Sequence, residues 1–186
     1  MGLNVGSSGG DFLPAIKFNA KDGQWFIRQD DDWAGLDDFK AAVFDLENIT
    51  TGYLGWGGNG PDFRPDPSIT EVGPAPEGEY KRAFKVNLYS KKAGGVREMM
   101  CDSKIVGTSM RELYAEFEEA AKSEEAQGKV PVLKIAGTNK ISIPNGTFYT
   151  PNWSVDKWID RPEELPSANG ASAAPPPAAP DDDEEF

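Results

Sequence analysis

The sequence predicts a mainly β domain, a small and highly curved antiparallel barrel with one α-helix inserted late, followed by a tail that does not fold. Three observations carry this expectation. Short runs of aromatic and β-branched residues alternate with Gly, Pro, Asn and Asp turns over residues 12–159. Only the stretch around residues 110–121 has helical periodicity. From Ser167 to Pro180 no large apolar side chain occurs, and Asp181-Asp182-Asp183-Glu184-Glu185 then sets five carboxylates in a row before Phe186. Like charges that close repel and the Pro/Ala run has nothing to bury, so this segment is expected to stay solvated and extended.

The elements follow in order. Residues 1–10 are Gly/Ser-rich and expected to be flexible. Residues 12–18 and 24–28 flank Asn19-Ala20-Lys21-Asp22-Gly23, a β-hairpin whose turn ends in Asp-Gly. Residues 39–53, with Val43, Phe44, Leu46, Ile49 and Tyr53, form one long bent strand or two short ones. Residues 54–78 are dense in Gly and Pro and read as a long loop of the kind usually kept for function. Residues 79–90 alternate: Tyr80, Arg82, Phe84, Val86 and Leu88 take the core face, and Lys81, Ala83, Lys85, Asn87 and Tyr89 face outward. Lys91-Lys92-Ala93-Gly94-Gly95 turns the chain into an antiparallel partner over residues 96–101.

The helix is expected to start from the capping box Ser109-Met110-Arg111-Glu112, to bury Met110, Leu113, Tyr114, Phe117 and Ala121, and to stop near Gly128. Residues 130–136 and 140–143 are further strands, and Asn145-Gly146 marks a hairpin that Pro144 and Pro151 place at a sheet edge. Trp153 and Trp158 read as core in the last body segment. This order suits the oligonucleotide-binding (OB) fold, and a β-sandwich or another α+β sheet also accommodates it. The chain divides into a flexible start (1–10), a body (11–161), a Pro/Ala-rich linker (162–180) and an acidic tip (181–186).

Charge separates tail from body. The chain has 19 Lys+Arg and 31 Asp+Glu; seven of those acids and no base lie in residues 162–186, which leaves 24 acids against 19 bases, or −5, for residues 1–161. Within that mildly acidic body, residues 79–104 hold Lys81, Arg82, Lys85, Lys91, Lys92, Arg97 and Lys104 against Glu79, Glu98 and Asp102, an island of net +4. Histidine is absent and Cys101 is the single cysteine, which removes Ser-His-Asp and Cys-His nucleophile systems, His-ligated metals and cysteine clusters. No cofactor or metal is expected, and a lone cysteine fits a reducing cytoplasm. No run approaches the roughly 18 apolar residues of a membrane span, and residues 1–10 do not read as a signal peptide.

Single-stranded nucleic acid is held by cations that follow the phosphates and by rings on which bases stack. Lys81, Lys85, Tyr89, Lys91, Lys92 and Arg97 offer the cations and one ring on the strand pair 80–101; the same lysines would also serve to guard a sheet edge. Trp56, set among Gly55, Gly57 and Gly58, with Tyr53 and Phe63 nearby, is a second stacking candidate or a cap on the barrel. Trp25, Phe26 and Trp33 are weaker ones. The Gly-rich stretch is no phosphate-binding P-loop, since no Gly-Lys-Ser/Thr follows. Asp30-Asp31-Asp32 reads as a solvated loop, or as the carboxylates of a Mg-dependent nuclease.

Asp181-Asp182-Asp183, Glu184, Glu185 and Phe186 offer charges for a basic patch and one ring for a pocket. In this tip, with its Pro/Ala linker and its basic and aromatic strand pair, the chain resembles the OB-fold single-stranded DNA-binding proteins of bacteria and their phages. The bacterial tip typically ends Asp-Asp-Asp-Ile-Pro-Phe; here Glu184-Glu185 stand in place of Ile-Pro, so the tip is more similar to the purely acidic tails of phage replication proteins. The resemblance implies a non-enzymatic protein that coats single-stranded DNA with little sequence preference during phage-type replication or recombination. It also implies a tail that recruits replication or recombination proteins and competes with DNA, and a host-cell cytoplasmic location. A phage structural or adaptor module and the nuclease remain as alternatives, and monomer and homodimer are both open.

Overall fold

The computed structural model describes residues 13–166. Ten strands and one α-helix follow in order: β1 (Ala15–Asn19), β2 (Gln24–Gln29), β3 (Asp32–Gly35), β4 (Ala41–Phe44), β5 (Thr50–Gly57), β6 (Gly60–Pro65), β7 (Tyr80–Ser90), β8 (Gly95–Cys101), α1 (Lys104–Ala120), β9 (Val130–Ile143) and β10 (Gly146–Ile159). The strands run β10-β9-β4-β7-β8-β1-β2-β3, with β5 and β6 branching from β7. The fold is therefore mainly β with a single helix, as expected, but the sheet is mixed: β1 lies parallel to β8 while every other pairing is antiparallel. Its strand order forms an open path rather than a closed ring.

Curling of this sheet makes the core. Ile16, Phe18, Trp25 and Ile27 from one end of the sheet meet Phe44, Leu133, Ile135 and Trp153 from the other. Trp25 and Trp153 stand with ring centroids 6.4 Å apart, and Trp153 packs edge-on to Phe44 at 6.0 Å. The Tyr149 amide on β10 donates to the Ala20 carbonyl at 2.7 Å, so the two ends of the sheet approach beside the β1–β2 turn. α1 covers the core with Val106, Met110, Leu113 and Phe117, four side chains at helical spacing.

Differences from expectation have local causes. α1 begins six residues before the expected start, because Ser103 rather than Ser109 is the cap: Ser103 Oγ accepts the Val106 amide, and Val106 extends the buried stripe by a turn. Ser109 lies inside the helix, where its Oγ accepts the Trp153 indole N–H at 3.0 Å. Residues 39–53 are two strands separated by a 3-10 turn at Leu46–Asn48. The expected loop over residues 54–78 is half hairpin, since β5 and β6 pair from Gly52 with Pro65 to Gly57 with Gly60. The two expected strands over 130–143 are one, bent where Ala136 and Gly137 oppose Asn152; Gly137 has φ 85°, a left-handed bulge conformation. The β9–β10 turn is Pro144-Asn145, one residue earlier than expected, and Gly146 opens β10.

The packed body continues past residue 161. Arg161 pairs through both Nη atoms with the buried Asp45 carboxylate, Nη1 to Oδ1 at 3.0 Å, and also donates to the Pro166 carbonyl. Leu165 is buried with Val43, Val130 and Val132. Residues 162–166, expected as the start of the linker, thus lie on the body. The flexible start, the rest of the linker and the acidic tip lie outside the described residues.

Candidate nucleic-acid interface

Parity along the strands decides which side chains meet, because directly opposed residues of a pair share a face. β7 sends Phe84, Val86 and Leu88 into the core, so Lys81, Lys85 and Tyr89 face outward. Lys81 opposes Leu54, which opposes Phe63, and two residues along the same hairpin Trp56 opposes Pro61. On the other flank Lys85 opposes Met100, Lys17 follows beside Met100, and Lys17 opposes Phe26. Arg28, two residues on, opposes Trp33. One outward face therefore runs β6-β5-β7-β8-β1-β2-β3, about 29 Å across at ~4.8 Å per strand step.

This face carries two groups of rings, each with its own cations. In the first, Trp56 is 68 % exposed and Lys85 Nζ stands 5.2 Å from the Phe63 ring centroid. In the second, Lys17 Nζ stands 4.0 Å from the centroid of Trp33 and 5.7 Å from that of Phe26, and the Arg28 guanidinium lies 5.6 Å from Trp33. Lys85 links the two and is 3.8 Å from Glu98. Cation–ring contacts at such exposed sites are worth about 0.5–1 kcal/mol. They hold ammonium and guanidinium groups beside ring faces that solvent reaches.

Lys81, Lys85, Trp56 and Phe63, which the sequence offered as two separate candidates, share this face. Tyr53 does not: it points to the opposite face, beneath Arg82 at 4.6 Å, and its hydroxyl donates to the Gly73 carbonyl. Arg97 is also removed from the surface. It opposes Leu88 on the core face, is 8 % exposed, and spends Nε on the Ala93 carbonyl (2.7 Å) and Nη1 on the Arg28 carbonyl (2.6 Å). Burial pulls its pKa down. Tyr89 faces outward but packs against the Val43, Val130, Val132 and Leu165 cluster. Lys91 and Lys92 are exposed in the β7–β8 turn, about 20 Å along the strand from Lys85 at ~3.4 Å per residue. Trp25 is core, 6 % exposed, as its position next to outward Phe26 requires. The group Lys17, Phe26, Arg28 and Trp33 had a signal in the alternation of β1 and β2, where only one of the adjacent Trp25 and Phe26 can face out.

Comparison of the chain with family models, with curated proteins and with solved structures finds no match.

The opposite side of β5, β6 and β7 is a polar brace. Asp66, its side chain 2 % exposed, accepts both Nη atoms of Arg82 (2.8 and 2.6 Å), the Thr51 hydroxyl (2.6 Å) and the Gly73 amide (2.9 Å). The Arg82 hydrogen bonds, with those of Thr51 and Gly73, hold its carboxyl well below the usual carboxylate range against the cost of burial. Tyr80 reaches across Gly55 to donate to Asp62 at 2.6 Å; a Cβ at Gly55 would meet the Tyr80 ring at 2.7 Å. Arg64 and then the Tyr80 hydroxyl lower the Asp62 pKa, and the same carboxylate raises that of Tyr80. This brace ties residues 66–79 to the sheet.

Asp30 and Asp31 form the two-residue β2–β3 turn, with Asp30 at φ 51°. Among the described residues no three His, Cys, Asp or Glu side chains converge to hold a metal ion. The Cys101 thiol is pushed up to about 11 by burial, which leaves it protonated at neutral pH. No helix among the described residues is long and apolar enough to cross a membrane.

Proposed function

We propose that the protein is a non-enzymatic single-stranded DNA-binding protein that coats its ligand with little sequence preference during phage-type replication or recombination in the cytoplasm of a host cell. The observation that supports this reading most is the outward face on which Trp56, Phe63, Phe26 and Trp33 alternate with Lys81, Lys85, Lys17 and Arg28. Rings accept any base by stacking, and cations neutralise phosphates whatever the sequence, so such a face binds a single strand without reading it. A duplex keeps its bases stacked on one another and offers the rings nothing. The OB resemblance accounts for this placement, since OB barrels bind oligonucleotides on the outside of the sheet.

The acidic tip, residues 181–186, has the charge to recruit basic partner proteins of replication or recombination and to compete with DNA for the same lysines. Both contacts weaken as salt rises. The test is fluorescence anisotropy of a labelled single-stranded oligonucleotide with the full chain and with a Lys17→Gln/Lys85→Gln double variant. The expected result is tight binding of the single strand, with a salt slope that falls by about 0.7 for each phosphate contact removed. Equal affinity of the variant and the parent would exclude this face, and an absence of binding by both would return the adaptor reading.

A further inference from the structure

We propose that Asn87 and Glu98 read the edge of one base on the outward face and favour bases that carry an exocyclic amine over thymine. The inference rests on the single-strand reading and adds one selective position to a face that is otherwise blind to sequence. Asn87 on β7 and Glu98 on β8 are directly opposed. Both side chains lie on the outward side, because their neighbours Val86, Leu88, Arg97 and Met99 are buried toward the core. Opposed side chains start from Cβ atoms about 4.5–5.5 Å apart, so an amide and a carboxylate placed this way converge on one small group.

The fold does not consume either side chain. Among the described residues Asn87 and Glu98 are tied by their backbones alone: the Asn87 carbonyl accepts the Asp45 amide, and the Glu98 amide donates to the Pro14 carbonyl. The ion-pair partner of Glu98 is Lys85, whose Nζ stands 3.8 Å away, too far for a hydrogen bond. The carboxylate therefore keeps its lone pairs for another donor. On one side of the pair the face is open, with Lys85 opposed to a half-buried Met100 whose thioether can lie against a ring. On the other side it is walled, since the next opposed pair, Tyr89 and Val96, packs against Val43, Val130, Val132 and Leu165. A base lying over Met100 meets Asn87 and Glu98 at the foot of that wall.

Charge decides what Glu98 can meet. Beside Lys85 and Lys17 it is a carboxylate in the middle of a phosphate-binding face, where it repels the ligand backbone and has something to gain only from a base. Cytosine donates from N4, adenine from N6 and guanine from N2, each to a carboxylate oxygen. Cytosine fits the pair as a whole, because its N3 accepts from the Asn87 amide while N4 donates to Glu98. Thymine carries the acceptor O4 where cytosine has its amine, and so sets an oxygen against the carboxylate.

The test is equilibrium binding, by anisotropy at neutral pH, of labelled oligodeoxycytidine and oligodeoxythymidine of one length to the full chain and to its Glu98→Leu and Asn87→Ala variants. The two bases have rings of one size, which keeps their stacking close to matched, and the ratio of the two affinities within each variant is unaffected by any change in its stability. The expected result is a preference of the parent for the cytidine strand of about fivefold or more. Glu98→Leu should bring the two affinities together, and Asn87→Ala should narrow the gap. Equal binding of the two strands by the parent, or a cytidine preference that survives in Glu98→Leu, would overturn the base-reading pair and leave the single-strand reading in place. Binding of neither strand by the parent or the variants would overturn both.

Discussion

In the proposed interface Trp33 and Trp56 share one role and differ in support. Trp33 has Lys17 within 4.0 Å and Arg28 within 5.6 Å of its ring, and Trp56 stands 68 % exposed near the end of β5. Either can receive a base. Trp33→Ala and Trp56→Ala should each cost roughly 1–3 kcal/mol of single-strand affinity, read by anisotropy, with no change in the urea midpoint. Arg97 behaves in the opposite way. Its removal leaves the Ala93 and Arg28 carbonyls without their donor in a buried place, so Arg97→Met should lower unfolding free energy by about 1–3 kcal/mol while the folded fraction binds DNA normally. Loss of affinity without loss of stability would return Arg97 to the interface. Its residue type suggested the surface; the register of β7 with β8, set by a turn whose length the sequence does not state, turned it inward.

Elements were legible where alternation was long and turn signals were clear, as in β2, β7 and β8, each within one residue of its expected range, and in β1, which begins three residues late. They were not where a strong former was interrupted. Ile105, Gly107 and Thr108 weaken the start of α1, and the Ser103 cap prevails because Val106 joins the buried stripe. In residues 54–78 the glycines suggested a loop, yet Gly55 is what lets the Tyr80 ring pass over β5 to Asp62. The brace also carries a pH signature. Asp66 is held below its ordinary range when folded, so its contribution is complete above the unfolded value near 3.9 and is lost as pH falls from there toward the folded value. Asp66→Asn should therefore destabilise by about 1–3 kcal/mol at pH 7. The gap to the parent, measured by urea denaturation, should stay flat above about pH 5 and narrow below about pH 4; a gap that widens in acid would contradict the assignment.

At the scale of the molecule, a mixed sheet curled round one core leaves an outward face of rings and cations, and a single helix closes the other side. The tail and the +4 island are the sequence features from which the proposed function starts. The sequence did not announce the face itself, because Lys17, Phe26, Arg28 and Trp33 become neighbours of Lys85 only through the parallel β1–β8 pairing, a long-range contact without a local signal. The most direct measurement is intrinsic tryptophan fluorescence of the full chain and of a version ending at Pro180, titrated with a single-stranded oligonucleotide and with duplex at two salt concentrations. The account predicts strong quenching by the single strand, weaker quenching by duplex, tighter binding after truncation and convergence of the two forms at high salt. Equal quenching by duplex, or none by either ligand, would contradict it.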